Sequence, residues 1–164
     1  MSIFPTTILL ATDGSREAGL AATTAVDLAN STNSELHVVH VGEFVPTMLA
    51  QTEVEPAQLE REAQERLDEQ IRRVEEAGGT VKEAHLRLGR ADEEIVDLAD
   101  DIGAGFIVMG SRGRGRMRRA LMGSVSDSVV RHAPCCPSLS TRPLCFGPSQ
   151  LSLRPPGPTL SAPP

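Results

Sequence analysis

The chain has 164 residues, 40% of them hydrophobic, and a formal net charge of −6: one domain's length, with enough apolar matter for a core. Four Phe with neither Trp nor Tyr leave that core to aliphatic side chains and remove the platforms on which nucleic-acid bases stack. The acidic balance argues against a general nucleic-acid or membrane binder; no apolar run reaches the roughly 18 residues of a membrane span, and MSIFPTTILLATDG lacks the basic start of a secretory signal, so a cytoplasmic location is expected.

Taken in chain order, TTILLAT at 6–12 reads as a buried strand stopped by Asp13-Gly14-Ser15. An alanine-rich helix follows, with Ala18, Ala21, Ala22, Ala25, Val26, Leu28 and Ala29 at helical spacing. Their small side chains let the helix pack close on a sheet. ELHVVHV at 35–41 is a second strand, rich in valine. Over about 53–77, Leu59, Ala63, Leu67, Ile71 and Val74 recur every three or four residues among Glu, Gln and Arg. That is a long amphipathic helix covering the sheet, stopped by Gly78-Gly79. TVKEAHLRL at 80–88 is a third strand, more polar and so nearer an edge. Residues 91–102 put Ala91, Ile95, Leu98, Ala99 and Ile102 on one helical face, with Asp92, Glu93 and Glu94 in the first turn, where the helix dipole favours acids. AGFIVMG at 104–110 is a fourth strand, and a further helix begins near Gly123.

Strands alternating with helices imply a mostly parallel α/β sheet with right-handed crossovers. Short continuous apolar runs are the pattern of strands covered on both faces. From Pro134 the character changes: nine of the twelve prolines and no acidic residue lie there. The expected organisation is one folded domain over 1–136 and a disordered Pro/Ser-rich tail over 137–164. At most, Ser138–Arg142 makes a short edge strand fenced by Pro137 and Pro143. Cys135, Cys136 and Cys145 have neither zinc nor disulfide spacing. His37, His40, His85 and His132 have no ligand spacing along the chain and read as structural.

Between Gly110 and Gly123 the chain carries four glycines and five of its sixteen Lys+Arg residues. In a parallel sheet of order 3-2-1-4-5, ligands bind where strand order reverses, beyond the carboxyl ends of strands one and four. The loops leaving those strands are Asp13-Gly14-Ser15 and the glycine-arginine segment. Glycines let backbone amides approach a phosphate chain, and a helix starting at Gly123-Ser124-Val125-Ser126 offers unbonded amides and hydroxyls. Arginines add positive potential. Asp13 suits a ribose hydroxyl or a metal, and Val41 offers backbone groups to a base edge. A Walker A loop is excluded because the sole lysine is Lys82; a G-x-G-x-x-G from Gly113 fails at Arg118. An RNA reading of the arginines lacks nearby aromatics.

Gly110-x2-Gly113-x9-Gly123-Ser124 resembles the G-x2-G-x9-G-[ST] motif of the ATP-binding branch of the universal stress protein family. ILLATDGS at 8–15, HVVHV at 37–41, ADEEIVDLADDIGAGFIVMGSRGRG at 91–115 and VVRHAPC at 129–135 extend the likeness over about residues 5–136. The resemblance implies a flavodoxin-like (Rossmann-like) three-layer αβα fold, a homodimer, and binding of ATP, ADP or AMP, with or without Mg2+. It further implies a regulatory role in stress response, with an unidentified protein partner. By position, Ala11, Thr12, Asp13, Val41, Met109, Gly110, Gly113, Gly123, Ser124 and Val125 match the family's nucleotide-contacting places, and Arg112 and Ser126 join them. No general base or leaving-group stabiliser is evident. The alternatives are a slow ATPase or other nucleotide-processing enzyme, or a nucleotide-free interaction module. Where the family continues into a valine-rich fifth strand, this chain reads CCPSLSTRP. The fifth strand is therefore expected to be degenerate or missing, a shifted reading frame near Cys135-Cys136 would account for the tail, and any dimer built on that strand is weakened.

Overall fold

The computed structural model describes residues 6–42, 56–113, 122–133 and 136–140. They form β1 (Thr7–Ala11), α1 (Arg16–Thr32), β2 (Glu35–Gly42), α2 (Pro56–Glu76), β3 (Val81–Leu88), α3 (Ala91–Asp101), β4 (Ala104–Gly110), α4 (Ser124–His132) and β5 (Cys136–Ser140). The strands make one sheet of order β3-β2-β1-β4-β5, parallel at every pairing. The flavodoxin-like order expected from the sequence is the order found.

β1 lies at the centre, and Ile8, Leu9 and Leu10 are fully buried. Alternation along the strand sends Ile8 and Leu10 to one face and Leu9 and Ala11 to the other. On the first face the alanines of α1 and Leu67 and Val74 of α2 join Leu36, Val38 and Val108 in one apolar layer. On the second, Ile95, Leu98 and Ala99 of α3 and Val129 of α4 close over Val39, Ile107 and Met109. α1 packs closely because its sheet-facing side is alanine at 18, 21, 22, 25 and 29. Its start is capped by Ser15, whose Oγ accepts from the Ala18 amide at 3.1 Å, and it ends on Asn33 in the left-handed region (φ 54°).

β3 is an edge strand with most of its residues exposed or half-buried, as its polar sequence foretold. At the other edge, β5 pairs with β4 from Phe106↔Cys136 to Gly110↔Ser140. The tail thus contributes residues 137–140 to the sheet. The strand starts two residues before the expected Ser138, with Pro137 inside it rather than fencing it. An edge strand tolerates proline because alternate N–H groups face away from the sheet, and a strand needs backbone pairing rather than an apolar sequence. The remainder of the proposed tail, 141–164, lies outside the described residues, as do Arg114, Arg116, Arg118 and Arg119.

Candidate nucleotide site

From β1 the chain proceeds to β2 and β3 on one side and returns to β4 and β5 on the other, so strand order reverses between β1 and β4. A cavity of about 500 Å³ opens at their carboxyl ends. All twelve residues singled out from the sequence line it.

The first wall is the β1–α1 loop. The Thr12 amide continues the ladder by donating to Val39 O at 3.0 Å. Its side chain turns inward, where Thr12 Oγ1 donates to Gln70 Oε1 at 3.0 Å. Asp13 Oδ1 accepts from the Ser15 amide at 2.9 Å, a local turn that aspartate makes readily. Gly14 between them has φ 76°, a conformation costly for any residue with a Cβ.

The second wall comes from β4 and α4. Gly110 ends β4 so close to α1 that an added Cβ would lie 3.0 Å from Glu17 backbone carbon. Gly113 faces the first wall: its Cβ would fall 2.7 Å from Asp13 Oδ2. The loop closes at its neck, where the Gly123 amide donates to Ser111 O at 2.8 Å. Gly123 is the N-cap of α4 and supplies no side-chain cap. Ser111 O takes Gly123's own amide, and the first bond of the helix is Asp127 N to Gly123 O at 2.9 Å. The first-turn amides of Ser124, Val125 and Ser126 therefore have no intrahelical acceptor, at the positive end of the helix dipole. Ser124 is exposed at the cavity. Ser126 differs from its expected role: it is buried, and its hydroxyl donates to Gly110 O at 2.9 Å. That proton fastens α4 to the end of β4 rather than pointing to a ligand. Arg112 is exposed on the loop, and Met109 and Val41 line the apolar floor.

α4 is held from outside the cavity by α3. Ser128 Oγ donates to Asp92 Oδ2 at 2.8 Å, and Arg90 reaches the same oxygen at 3.0 Å. Desolvation pushes the Asp92 carboxyl up, but the Ser128 hydroxyl, the Arg90 guanidinium and the amides of Asp92 and Glu93 outweigh it and hold the group below the ordinary aspartate range.

Six lining residues had escaped the sequence reading: Val39, His40, Arg66, Ala91, Ile95 and Met122. His40 is buried, with Nδ1 2.8 Å from Thr12 O. A carbonyl oxygen only accepts, so Nδ1 carries the proton and Nε2 is left as the acceptor. Nε2 has no hydrogen-bond partner among the described residues. Arg66 reaches the cavity from α2, so the site has an arginine on each side. Position could have found it: Arg66 precedes buried Leu67 on the helix that covers β2.

The fold agrees with known proteins. The model of the universal stress protein family matches residues 5–138. The chain belongs to the universal stress protein family. A universal stress protein of Thermus aquaticus is 38% identical over 129 residues, covering 79% of this chain and 93% of that one. Two solved structures share the universal stress protein fold. One is a universal stress protein in complex with cAMP, 23% identical, TM-score 0.65, covering 82% of this chain and 95% of that one. The other is the universal stress protein from Archaeoglobus fulgidus in complex with dAMP, 24% identical, TM-score 0.59, covering 83% of this chain and 97% of that one.

Proposed function

We propose that this universal stress protein is a regulator that binds an adenine nucleotide, ATP or its shorter relatives ADP and AMP, in the β1/β4 cavity. One observation carries the reading: the three glycines of G-x2-G-x9-G-S converge on the uncapped start of α4. Backbone amides and a helix N-terminus are the donors a phosphate chain needs, and Arg112 and Arg66 supply positive charge beside them. The donor chemistry fits a polyanion. Val41, Ala11 and Met109 offer an apolar shelf and backbone groups for the base, while Asp13 is suited to a ribose hydroxyl or to Mg2+ accompanying the phosphates. Ser124 donates its hydroxyl, and its amide with that of Val125 completes the cradle. The two nucleotide-bound structures, at 23% and 24% identity, support the fold; the motif and the cavity support the ligand.

The regulatory part of the proposal has the bound nucleotide bias the choice of a protein partner. A role in stress response, a cytoplasmic location and a homodimer built along the outer edge of β5 belong to the same reading. Among the described residues no helix is long and apolar enough to cross a membrane. Mass spectrometry of small molecules co-purifying with the full chain, followed by calorimetric titration with ATP, ADP, AMP and cAMP, tests it. Saturable binding of at least one adenine nucleotide is expected. A folded sample that binds none of the four refutes the proposal.

A further inference from the structure

His37 and His85 are 48 residues apart in sequence, and nothing in their spacing suggests a pair. The parallel register of β2 and β3 brings them together, aligning His37 with Glu83 and Val39 with His85. Residues 83 and 85 alternate onto the same face as 37, the face whose neighbour Val39 packs against α3. The result is a second cluster of chemically able side chains, at the β3 edge and away from the β1/β4 cavity. His37 Nδ1 lies 3.1 Å from His85 Nε2. With Glu83, their ligand atoms lie within 4.8 Å of one another.

We propose that His37, His85 and Glu83 bind a divalent transition-metal ion of the zinc class. The two imidazoles are nearly coplanar, 10° apart, with centroids separated by 5.4 Å. That separation matches the 3.1 Å nitrogen gap plus two ring radii, so the nitrogens face each other head-on with one proton between them. A metal ion displaces that proton, which passes through solvent to the other nitrogen of the same ring, so that both histidines bind as neutral imidazoles. Two Zn–N bonds of about 2.0–2.1 Å cannot lie along a 3.1 Å line. The ion therefore sits to one side, with an N–Zn–N angle of roughly 100°, close to tetrahedral, and each ring pivots by roughly 40° from its head-on direction. His37 is 7% exposed, whereas His85 is half-buried and Glu83 exposed. The outer two can adjust, and Glu83 gives the ion a route from solvent. Two histidines and one glutamate leave a fourth position for water, the ligand set of an open zinc site. Arg87, whose positive charge acts on His85, is paired with Glu94 at 3.9 Å and with Asp101 at 3.5 Å, which offsets its repulsion of a bound ion. Such a site would pin edge strand β3 to β2.

The experiment is calorimetric titration of the full-length chain with ZnCl2 at neutral pH. Cys135, Cys136 and Cys145 are replaced by serine so that no thiolate competes. One ion per chain and a raised melting temperature are expected, with no comparable effect of MgCl2, a cation that prefers oxygen ligands. His85→Ala should weaken zinc binding at least about tenfold, and Glu83→Gln should weaken it too. Both positions are solvent-accessible, so these variants fold even where His37→Ala does not. Imidazole 15N spectra should move the signals of His37 and His85 while leaving His132 in place. The proposal is overturned if zinc fails to saturate the cysteine-free chain, if His85→Ala and Glu83→Gln bind as the parent does, or if only His132 responds.

Discussion

Alanine placed at each motif glycine in turn should produce three different failures, because the three sites are tight for different reasons. At Gly123 the nearest atom to a new Cβ is Ser111 O at 3.5 Å, an ordinary contact, and φ −73°, ψ 156° suits alanine. Gly123→Ala should cost about 0.5–1 kcal/mol, the usual penalty for alanine at an N-cap. At Gly110 the new Cβ would meet Glu17 backbone carbon and Cβ at 3.0 Å and the Ala18 amide at 3.1 Å. Those atoms belong to the capped first turn of α1, which must shift bodily, and overpacking of this kind costs about 1–3 kcal/mol. A chain of this size loses about 2–4 °C of Tm per kcal/mol. At Gly113 the clash is with a side-chain terminus, Asp13 Oδ2 at 2.7 Å. The carboxylate can rotate away only by giving up the Ser15 amide that Oδ1 holds at 2.9 Å, so about 1 kcal/mol is at stake. Thermal unfolding and titration with Mg·ATP separate these effects. Gly110→Ala should lower Tm most. Gly123→Ala should nearly keep Tm yet lose at least about tenfold in affinity, or 1.4 kcal/mol, because its methyl group is added against Ser111 O, Arg112 Cα and the Gly113 amide, where the proposed cradle must receive the phosphates. A Gly123→Ala protein that binds Mg·ATP like the parent would refute the cradle argument.

Three further outcomes follow from bonds around the cavity. Thr12→Val removes the donor to Gln70 Oε1 at a side chain only 2% exposed; the stranded amide should cost about 1–3 kcal/mol in chemical denaturation, while Gln70→Leu in the same background should recover part of it. Ser128→Ala should cost about 1 kcal/mol by cutting the α3–α4 bond, and double-mutant analysis with Asp92→Asn should show the two losses to be non-additive. Asp92 is held below the ordinary aspartate range when folded, so its contribution is complete above the unfolded-state value near 3.9 and is lost as pH falls below that value through the folded one. Asp92→Asn should therefore flatten the acid limb of the stability curve and leave its slope near neutral pH unchanged.

The fold was legible because each strand is a short aliphatic run covered on both sides. TTILLAT became β1 with three consecutive fully buried residues. The alanines of α1 announced close packing before any sheet was seen. The cavity was legible for a related reason: two unusual loops leave adjacent strands, and the order of a doubly wound sheet brings such loops together. What escaped were polar residues on apolar faces. Gln70 follows Leu67 by three positions and precedes Val74 by four, on the covered side of α2, yet its chemistry assigned it to the wet side. Periodicity alone would have found it. His40 and the His37–His85 pair needed more: one depends on a carbonyl in another loop and the other on strand register, neither of which is written in local spacing. β5 was obscured because composition around Pro137 argues for disorder, while the pairing partner that overrides it lies some thirty residues upstream in β4.

The two walls of the cavity are held differently, and that difference bears on how a ligand could act. The first is bonded throughout: Thr12 to Gln70, Gly14 and Ser15 to the loop's own side chains, Ala18 to its cap. A rigid wall recognises but has little to transmit. Among the described residues, the second wall is secured at its ends, by Gly123 N to Ser111 O and by Ser126 Oγ to Gly110 O. Both bonds converge on the start of α4. That helix runs nine residues to His132, and β5 begins at Cys136. On the proposed reading, phosphates engage one end of α4 while a second copy of the chain engages the strand that follows its other end. Nucleotide binding and dimerisation then share one lever, and each must change the affinity of the other by the same factor. Sedimentation of the full chain with and without saturating Mg·ATP measures that factor. An identical dimer constant in the two conditions would sever α4 from any signalling role, even with the nucleotide bound.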